Sequence, residues 1–268
     1  MSTTEIKGVW ASGAAYDPYM GRWSRLVAAD FIRWLDVPGE GRWLDVGCGT
    51  GALSQTILET GFPKEVMGID VSTNYIEYAR HKIIDKRFSL MLGDAHALPA
   101  GSEQYEAVVS GLALNFIAEP LRAVRAMAGV TRANGIVAAY VWDYAGQMQL
   151  LRYFWDAAIT LNPEASRLDE GRRSPICNPA SLEELFRDAG LENVQSTAID
   201  VPAHFQDFDD YWLPFLGGQG TVASYAMSLS EEHRNELRER IRARLPIAVD
   251  GSIRMLLRAW GVKGRRLS

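Results

Sequence analysis

The segment best equipped for chemistry is Leu44-Asp45-Val46-Gly47-Cys48-Gly49-Thr50-Gly51. Its glycines permit a sharp turn and let a ligand approach the main chain closely. Gly47, Gly49 and Ala52 also satisfy the G-x-G-x-x-G/A pattern of dinucleotide-binding loops, so the loop alone leaves its ligand open. Charge separates the readings. Asp45 precedes Gly47 at the place where a pyrophosphate would lie. Two like charges about 5 Å apart repel by roughly 3 kcal/mol at an effective dielectric of ~20, whereas a cationic nucleoside is attracted. The plain alternative is an aspartate that only satisfies the loop amides. Asp70 follows Gly47 by about twenty residues, the interval expected of an acid that takes ribose hydroxyls. Its two oxygens match a vicinal diol. The competing task of helix capping falls better to Ser72.

These residues need a frame. A helix fits 22–35, closed by Pro38, Gly39 and Gly41. Short apolar runs then predict strands at 42–46, 65–69, 87–92, 106–110 and 135–141, with helices at 52–60, 74–84, 120–131 and 147–161. A strand returns every twenty to thirty residues or so, the length of a βαβ unit, which predicts an α/β, doubly wound and mostly parallel sheet. Ser181 is expected to cap a helix at 182–189, before a strand at 191–201. An aromatic, acidic stretch (205–215), a glycine turn and a charged helix (230–245) separate that strand from another at 252–260. Glu236 and Arg240, one helical turn apart, make the charged helix read as a solvated face. Strand, insertion, strand predicts an antiparallel edge pair with a helical lid between its members. The expected division is an arm and helix at 1–41, a core at 42–204 and 252–268, and a lid at 205–251.

Composition narrows the classes. With 268 residues, 47% hydrophobic, the chain can bury a sizeable core, and a formal charge of −5 argues against a protein built to coat nucleic acid. Two cysteines and four histidines make neither a disulfide scaffold nor a dense metal site. No apolar run approaches the ~20 residues of a membrane span, and 1–10 lacks the apolar stretch of a leader. A soluble cytoplasmic protein without a metal is expected, its oligomeric state open.

The glycine loop, together with three later motifs in order, resembles the class I S-adenosylmethionine-dependent methyltransferases. The likeness covers about residues 10–142 and is greatest to the small-molecule group that includes quinone-biosynthesis methyltransferases. It implies a Rossmann-like sheet of seven strands, the last antiparallel, that binds S-adenosyl-L-methionine and releases S-adenosyl-L-homocysteine. Asp45, Gly47, Gly49 and Gly51 would lie beside the methionine moiety, Asp70 on the ribose, and Val71 and Tyr75 on either side of the adenine. In Gly93-Asp94-Ala95-His96-Ala97-Leu98-Pro99, Asp94 would accept from the adenine amino group and Ala95 would offer its backbone. Ser110 to Phe116 matches the end of the fourth strand beneath the transferring methyl. Upstream, Arg22 would pair with the methionine carboxylate and Tyr16 would close over the cofactor; a solvated arginine at a helix start is the alternative for Arg22.

Methyl transfer from a sulfonium is an in-line displacement in which alignment lowers much of the barrier. A base helps only where the acceptor must lose a proton. His96, His204, Tyr19, Asp143 and Tyr211 are candidates and none stands out. Asn115 stands roughly where related enzymes often carry a histidine, which leaves any inherited base in doubt. Ser110-Gly111-Leu112-Ala113 lacks the Asn/Asp-Pro-Pro-aromatic signature of amide and nucleobase N-methylation. The expected acceptor is oxygen or carbon of a small organic molecule. The aromatic stretch 205–215 suits an apolar or aromatic substrate, or else simple packing on the core. A nicotinamide-dependent oxidoreductase and a catalytically silent binding protein are the competing readings.

Overall fold

A computed structural model describes residues 20–99, 105–217 and 220–267. Along the chain run α1 (Arg22–Leu35), β1 (Arg42–Val46), α2 (Ala52–Thr60), β2 (Glu65–Asp70), α3 (Thr73–Lys82), β3 (Phe88–Leu92), β4 (Tyr105–Gly111), α4 (Pro120–Val130) and β5 (Thr131–Trp142). There follow α5 (Gln149–Leu161), α6 (Glu170–Arg173), α7 (Pro179–Asp188), β6 (Glu192–Phe205), α8 (Phe208–Trp212), α9 (Gly220–Ser228), α10 (Glu231–Arg244) and β7 (Ile253–Arg265). The seven strands form one sheet in the order β3-β2-β1-β4-β5-β7-β6. The first five pair in parallel and β7 runs antiparallel to β5, as the sequence led us to expect.

The chain divides into two compact units. One takes Ser24–Trp142, Ile176–Ile199 and 259–267; the other takes 20–23, Asp143–Pro175 and Asp200–Arg258. Residues 143–175, expected with the sheet core, thus group with the 205–251 insertion.

In the first unit the central strands are apolar on both faces, which is what helices on either side of a parallel sheet require. Trp43, Leu44 and Val46 of β1, Ala107 to Val109 of β4 and Val137 to Ala139 of β5 are all fully buried. Leu53, Ile57 and Leu58 of α2 are buried, as are Ala123, Val124 and Met127 of α4. Phe31 of α1 packs on Tyr140 of β5 with ring centroids 4.7 Å apart. β5 starts at Thr131, directly after α4, rather than at 135 as expected. The exposed run Arg132-Ala133-Asn134 hides its start from a reading based on apolar pattern. β7 likewise continues past 260 to Arg265. A Cβ on Gly264 would come within 2.9 Å of Leu191, so glycine there serves close approach and does not mark a break. α7 begins at Pro179 and its cap is Asn178, not Ser181: the Asn178 side chain accepts from the Ser181 amide at 2.9 Å. Proline at the first helical position needs no partner for its nitrogen.

The second unit is built on rings. Phe154 lies 5.4 Å from Trp155, 5.2 Å from Phe215 and 6.2 Å from Tyr225, and Tyr211 lies 5.4 Å from Phe205 and 5.2 Å from Phe215. The apolar face of α5 therefore packs on the aromatic stretch, which explains why 143–175 belongs here. The rings of 205–215 pack on this unit's core.

Candidate functional site

β1, β2, β3 and β4 end side by side, with Asp45 in register with Gly68 and Val109, and Asp70 with Leu92. This is the carboxyl edge of a parallel sheet, where open α/β folds bind their ligands. The loop leaving β1 takes left-handed backbone at Gly47 (φ 73°), Gly49 (φ 52°) and Gly51 (φ 81°), a region side chains disfavour. Gly47 and Cys48 donate their amides to the Ile69 carbonyl (2.7 and 3.0 Å), which ties the loop to the end of β2. A Cβ on Gly47 would lie 2.6 Å from the Ala113 Cβ, so the turn after β4 presses against the loop.

Two aspartates hold this edge. Asp45 is fully buried; its Oδ2 accepts from the Ser54 hydroxyl at 2.7 Å, while Oδ1 is buried and has no partner among the described residues. Burial raises its pKa from 3.8 to about 7, the Ser54 hydrogen bond opposing and the Asp70 charge adding to the rise. Asp45 is therefore not the fully charged residue that the sequence suggested. Asp70 accepts from the Gly49 amide at 2.9 Å through Oδ2 and from the Ser72 amide at 2.8 Å through Oδ1. Burial raises its pKa too, against the pull of those amides. The Val71 amide also favours the anion, and the two oxygens keep acceptor capacity beyond these bonds. Ser72 caps α3 as expected, accepting from the Tyr75 amide. Val71 is exposed and Tyr75 half-buried.

After β3, Gly93 donates to the Asp70 carbonyl at 3.0 Å and brings the next loop to the same edge. Asp94 Oδ1 accepts from the His96 amide at 2.9 Å and lies 2.8 Å from its Nδ1, bonds that hold the Asp94 carboxyl below its usual range. Ala95, between them, is half-buried. Ser110, at the end of β4, is fully buried and its hydroxyl has no partner among the described residues.

The proposed bases fare unevenly. Tyr211 donates its hydroxyl to the Leu150 carbonyl at 2.9 Å and burial pushes its pKa well above 10, so it is a packing residue and not a base. Asp143 spends both oxygens on the Gly146 and Gln147 amides (3.1 and 2.8 Å), closing the turn before α5. His96 keeps Nε2 buried and without a partner among the described residues, and both polar atoms of Asn115 are in the same condition. His204 is exposed. Tyr16 and Tyr19 lie outside the described residues. Arg22 sets its guanidinium 3.3 Å from Asp210 and over the Trp23 and Phe205 rings, leaving Nε and Nη2 buried without partners among the described residues. Sequence reasoning missed Ser54, whose only signal was a polar residue on the inward face of α2, and the strained Leu112 (φ 57°) after β4, for which there was none.

The donor set fits a cationic nucleoside without phosphates. Asp45, one oxygen of which has no partner among the described residues, and Asp70 lie at the glycine turn, where Ala113 leaves no room for a side chain at Gly47. Among the described residues no group of three or more His, Cys, Asp or Glu could hold a metal ion.

Residues 44–139 match the family described as "Methyltransferase domain". A demethylmenaquinone methyltransferase of Roseiflexus castenholzii is 28% identical over 178 residues, 62% of this chain and 74% of that one. The methyltransferase GfsG of Streptomyces halstedii is 27% identical over 234 residues, 81% of this chain and 78% of that one. Among solved structures, a Haemonchus contortus phosphoethanolamine N-methyltransferase 2 in complex with S-adenosyl-L-methionine has a TM-score of 0.58 at 16% identity, covering 95% of this chain and 56% of that one; at that identity it speaks for the fold alone. The chain carries a methyltransferase domain on a Rossmann-like sheet. The matched domain and these likenesses support a class I S-adenosylmethionine-dependent methyltransferase.

Proposed function

We propose that this enzyme methylates oxygen or carbon of a small organic acceptor by in-line displacement, and that hydroquinone-like molecules are the acceptor class to try first. The observation that carries the reading is the pair Asp45 and Asp70 around the Gly47–Gly51 turn, with Asp45 Oδ1 unpartnered. The names of distant relatives, demethylmenaquinone methyltransferases among them, support the acceptor class.

Bound S-adenosyl-L-methionine supplies an electrophilic methyl group on a sulfonium. The chain's own residues would do the rest. Asp70 takes the ribose diol with its remaining acceptor capacity. Val71 and Tyr75 flank the adenine, Asp94 accepts from its amino group through the oxygen that His96 leaves free, and the Ala95 backbone completes that subsite. Asp45 with Gly47, Gly49 and Gly51 favours the positive methionine end. Arg22, whose Nε and Nη2 have no partner among the described residues, is assigned the methionine carboxylate, and Tyr16 the role of closing over the cofactor. Ser110 marks the floor beneath the methyl. We place the enzyme in the cytoplasm, a reading that a sequence with two cysteines supports. No helix among the described residues is long and apolar enough to cross a membrane.

The test is incubation of the full chain with methyl-labelled S-adenosyl-L-methionine and a cell extract, followed by mass identification of the product. Label on oxygen or carbon of a small molecule is expected. Label found only on nitrogen, protein or nucleic acid would overturn the assignment.

A further inference from the structure

The turn that leaves β4 holds a side chain with no hydrogen-bond partner among the described residues. Leu112 sits in the left-handed region (φ 57°), a costly conformation for a branched residue and one that persists mainly where function requires it. Its amide donates to the Tyr140 carbonyl at 2.8 Å, and the chain then enters a single 3₁₀ turn, Leu114–Phe116, anchored by the fully buried Leu114. Asn115 is the middle residue of that turn. Its Oδ1 and Nδ2 are both shielded from solvent and neither has a hydrogen-bond partner among the described residues. Buried polar groups are almost always paired, and an orphaned carboxamide forfeits an acceptor and two donors at once. Ser110, before the turn, is a second buried orphan. The turn also lies against the cofactor loop, as the approach of Ala113 to Gly47 shows.

We infer that the Asn115 carboxamide binds the acceptor substrate, and that the acceptor carries a hydroxyl group beside the atom that is methylated. The inference rests on the methyl-transfer reading above. A hydroxyl both donates and accepts, so it satisfies Oδ1 and Nδ2 together. A thioether or an aliphatic chain satisfies neither, and a protonated amine satisfies only Oδ1. Asn115 itself takes up no proton under these conditions. The acceptor must then be nucleophilic by its own electronics, as an electron-rich ring carbon or an acidic hydroxyl of a phenol, hydroquinone or enol is. Asn115 thereby selects the acceptor class without serving as a base.

The test compares the full-length wild type with Asn115→Leu, close in size and apolar, and Asn115→Asp. Each is assayed with labelled S-adenosyl-L-methionine against 1,4-naphthohydroquinone, catechol and phenol, and against aniline and thiophenol as controls. S-adenosyl-L-homocysteine affinity and thermal midpoint are measured alongside. Expected are transfer by the wild type to at least one hydroxylated acceptor, a rise of tenfold or more in KM or an equal loss of kcat/KM for it in Asn115→Leu, homocysteine-ligand affinity within about twofold, and an unchanged or raised midpoint. Wild-type transfer confined to aniline or thiophenol, or to none of the five, would overturn the inference. So would an Asn115→Leu variant that matches the wild type or loses several degrees of midpoint, since the latter marks a structural hydrogen bond. Retained binding of the homocysteine ligand beside any of these results leaves the cofactor reading standing; loss of that binding in the wild type would be the failure of that reading itself.

Discussion

The carboxylate of Asp45 and the hydroxyl of Ser54 meet at 2.7 Å inside the seam between β1 and α2, and with the Ser54 amide this is the hydrogen-bonding support that the Asp45 anion has among the described residues. It is too little to keep a fully buried carboxyl ionised, so Asp45 titrates at about 7 where an exposed one titrates at 3.8. The folded chain therefore holds a proton between these values that the unfolded chain has lost. The stability this contributes, about 4 kcal/mol, is fully present below pH ~4 and disappears as pH rises through ~7. Asp70, also raised, acts in the same direction. Denaturant titration of the ligand-free enzyme should show lower stability at pH 8 than at pH 5.5, and Asp45→Asn should remove most of the difference. A wild type more stable at pH 8 would contradict the assignment.

The same proton bears on the cofactor. In the proposed function ionised Asp45 holds the sulfonium and ammonium best, and between pH 6 and 8 its ionised fraction rises about tenfold. The dissociation constant for S-adenosyl-L-methionine should fall by up to about that factor, measured against Asp45→Asn so that titration of the ligand's own amine cancels. Ser54→Ala removes the contact that favours the anion. Its binding curve should shift to higher pH, with a stability loss of ~1–3 kcal/mol at pH 8 and much less at pH 5.5. Identical pH curves for wild type and Ser54→Ala would show that the hydrogen bond does not tune Asp45.

Asp70 joins two tasks, since its oxygens tie the Gly49 and Ser72 amides together and, in the proposed function, face the ribose. Asp70→Ala should raise the dissociation constant for S-adenosyl-L-methionine more than tenfold, because a charge-assisted hydrogen bond is worth ~1.5–3 kcal/mol. Calorimetry on adenosine separates the tasks: its ribose but not its methionine end is present, so the variant should lose a similar factor for it. Equal adenosine affinity in the two proteins would remove the ribose assignment.

The sheet was legible because parallel strands buried on both faces leave plain apolar runs, such as Ala107 to Val109 and Val137 to Ala139. Where a strand carries polar or glycine residues on an exposed or crowded stretch, as at Arg132-Ala133-Asn134 and Gly261 to Gly264, pattern fails and tertiary pairing decides. The gathering of Asp45, Asp70 and the loop glycines at one sheet edge was legible for a different reason: a sharp turn between a strand and a helix needs glycines that few other residues can replace. The state of Asp45 was not, because a sequence gives charge at face value while burial resets it. Tyr211 and Asp143 looked like bases since the residue type is all a sequence shows; their hydrogen bonds to Leu150 and to the Gly146 and Gln147 amides are structural.

Arg152 and Asp169 form a two-bond pair (2.8 and 2.9 Å) in which the Asp169 side chain is 4% exposed and the Arg152 side chain 15%. Asp169 also accepts from the Gly171 amide at the start of α6, and Arg152 donates to the Tyr144 carbonyl. Removing Asp169 leaves the largely buried Arg152 charge with the 3.4 Å contact to the exposed Asp156 as its remaining ion pair among the described residues. Asp169→Ala should cost ~3–5 kcal/mol in denaturant unfolding, while Arg152→Met with Asp169→Leu together should cost far less than the single change. A loss below ~1 kcal/mol in Asp169→Ala would mean that solvent reaches the pair.

Gly47 is constrained twice, by backbone and by space. Its φ of 73° costs a side-chain-bearing residue ~1–2 kcal/mol, and a Cβ there would lie 2.6 Å from that of Ala113. Overpacking of this kind typically costs a further ~1–3 kcal/mol. Gly47→Ala should therefore lose ~2–5 kcal/mol of stability. The chain's alternative is to retract the loop from the turn after β4 and weaken S-adenosyl-L-methionine binding instead. Ala113→Gly opens the space without changing φ. In the double variant the packing part should return and the backbone part should remain, so the measured coupling between the two positions should be ~1–3 kcal/mol. Additive effects would show that the loop and the turn move independently, and that the contact between Gly47 and Ala113 places no constraint on the cofactor edge.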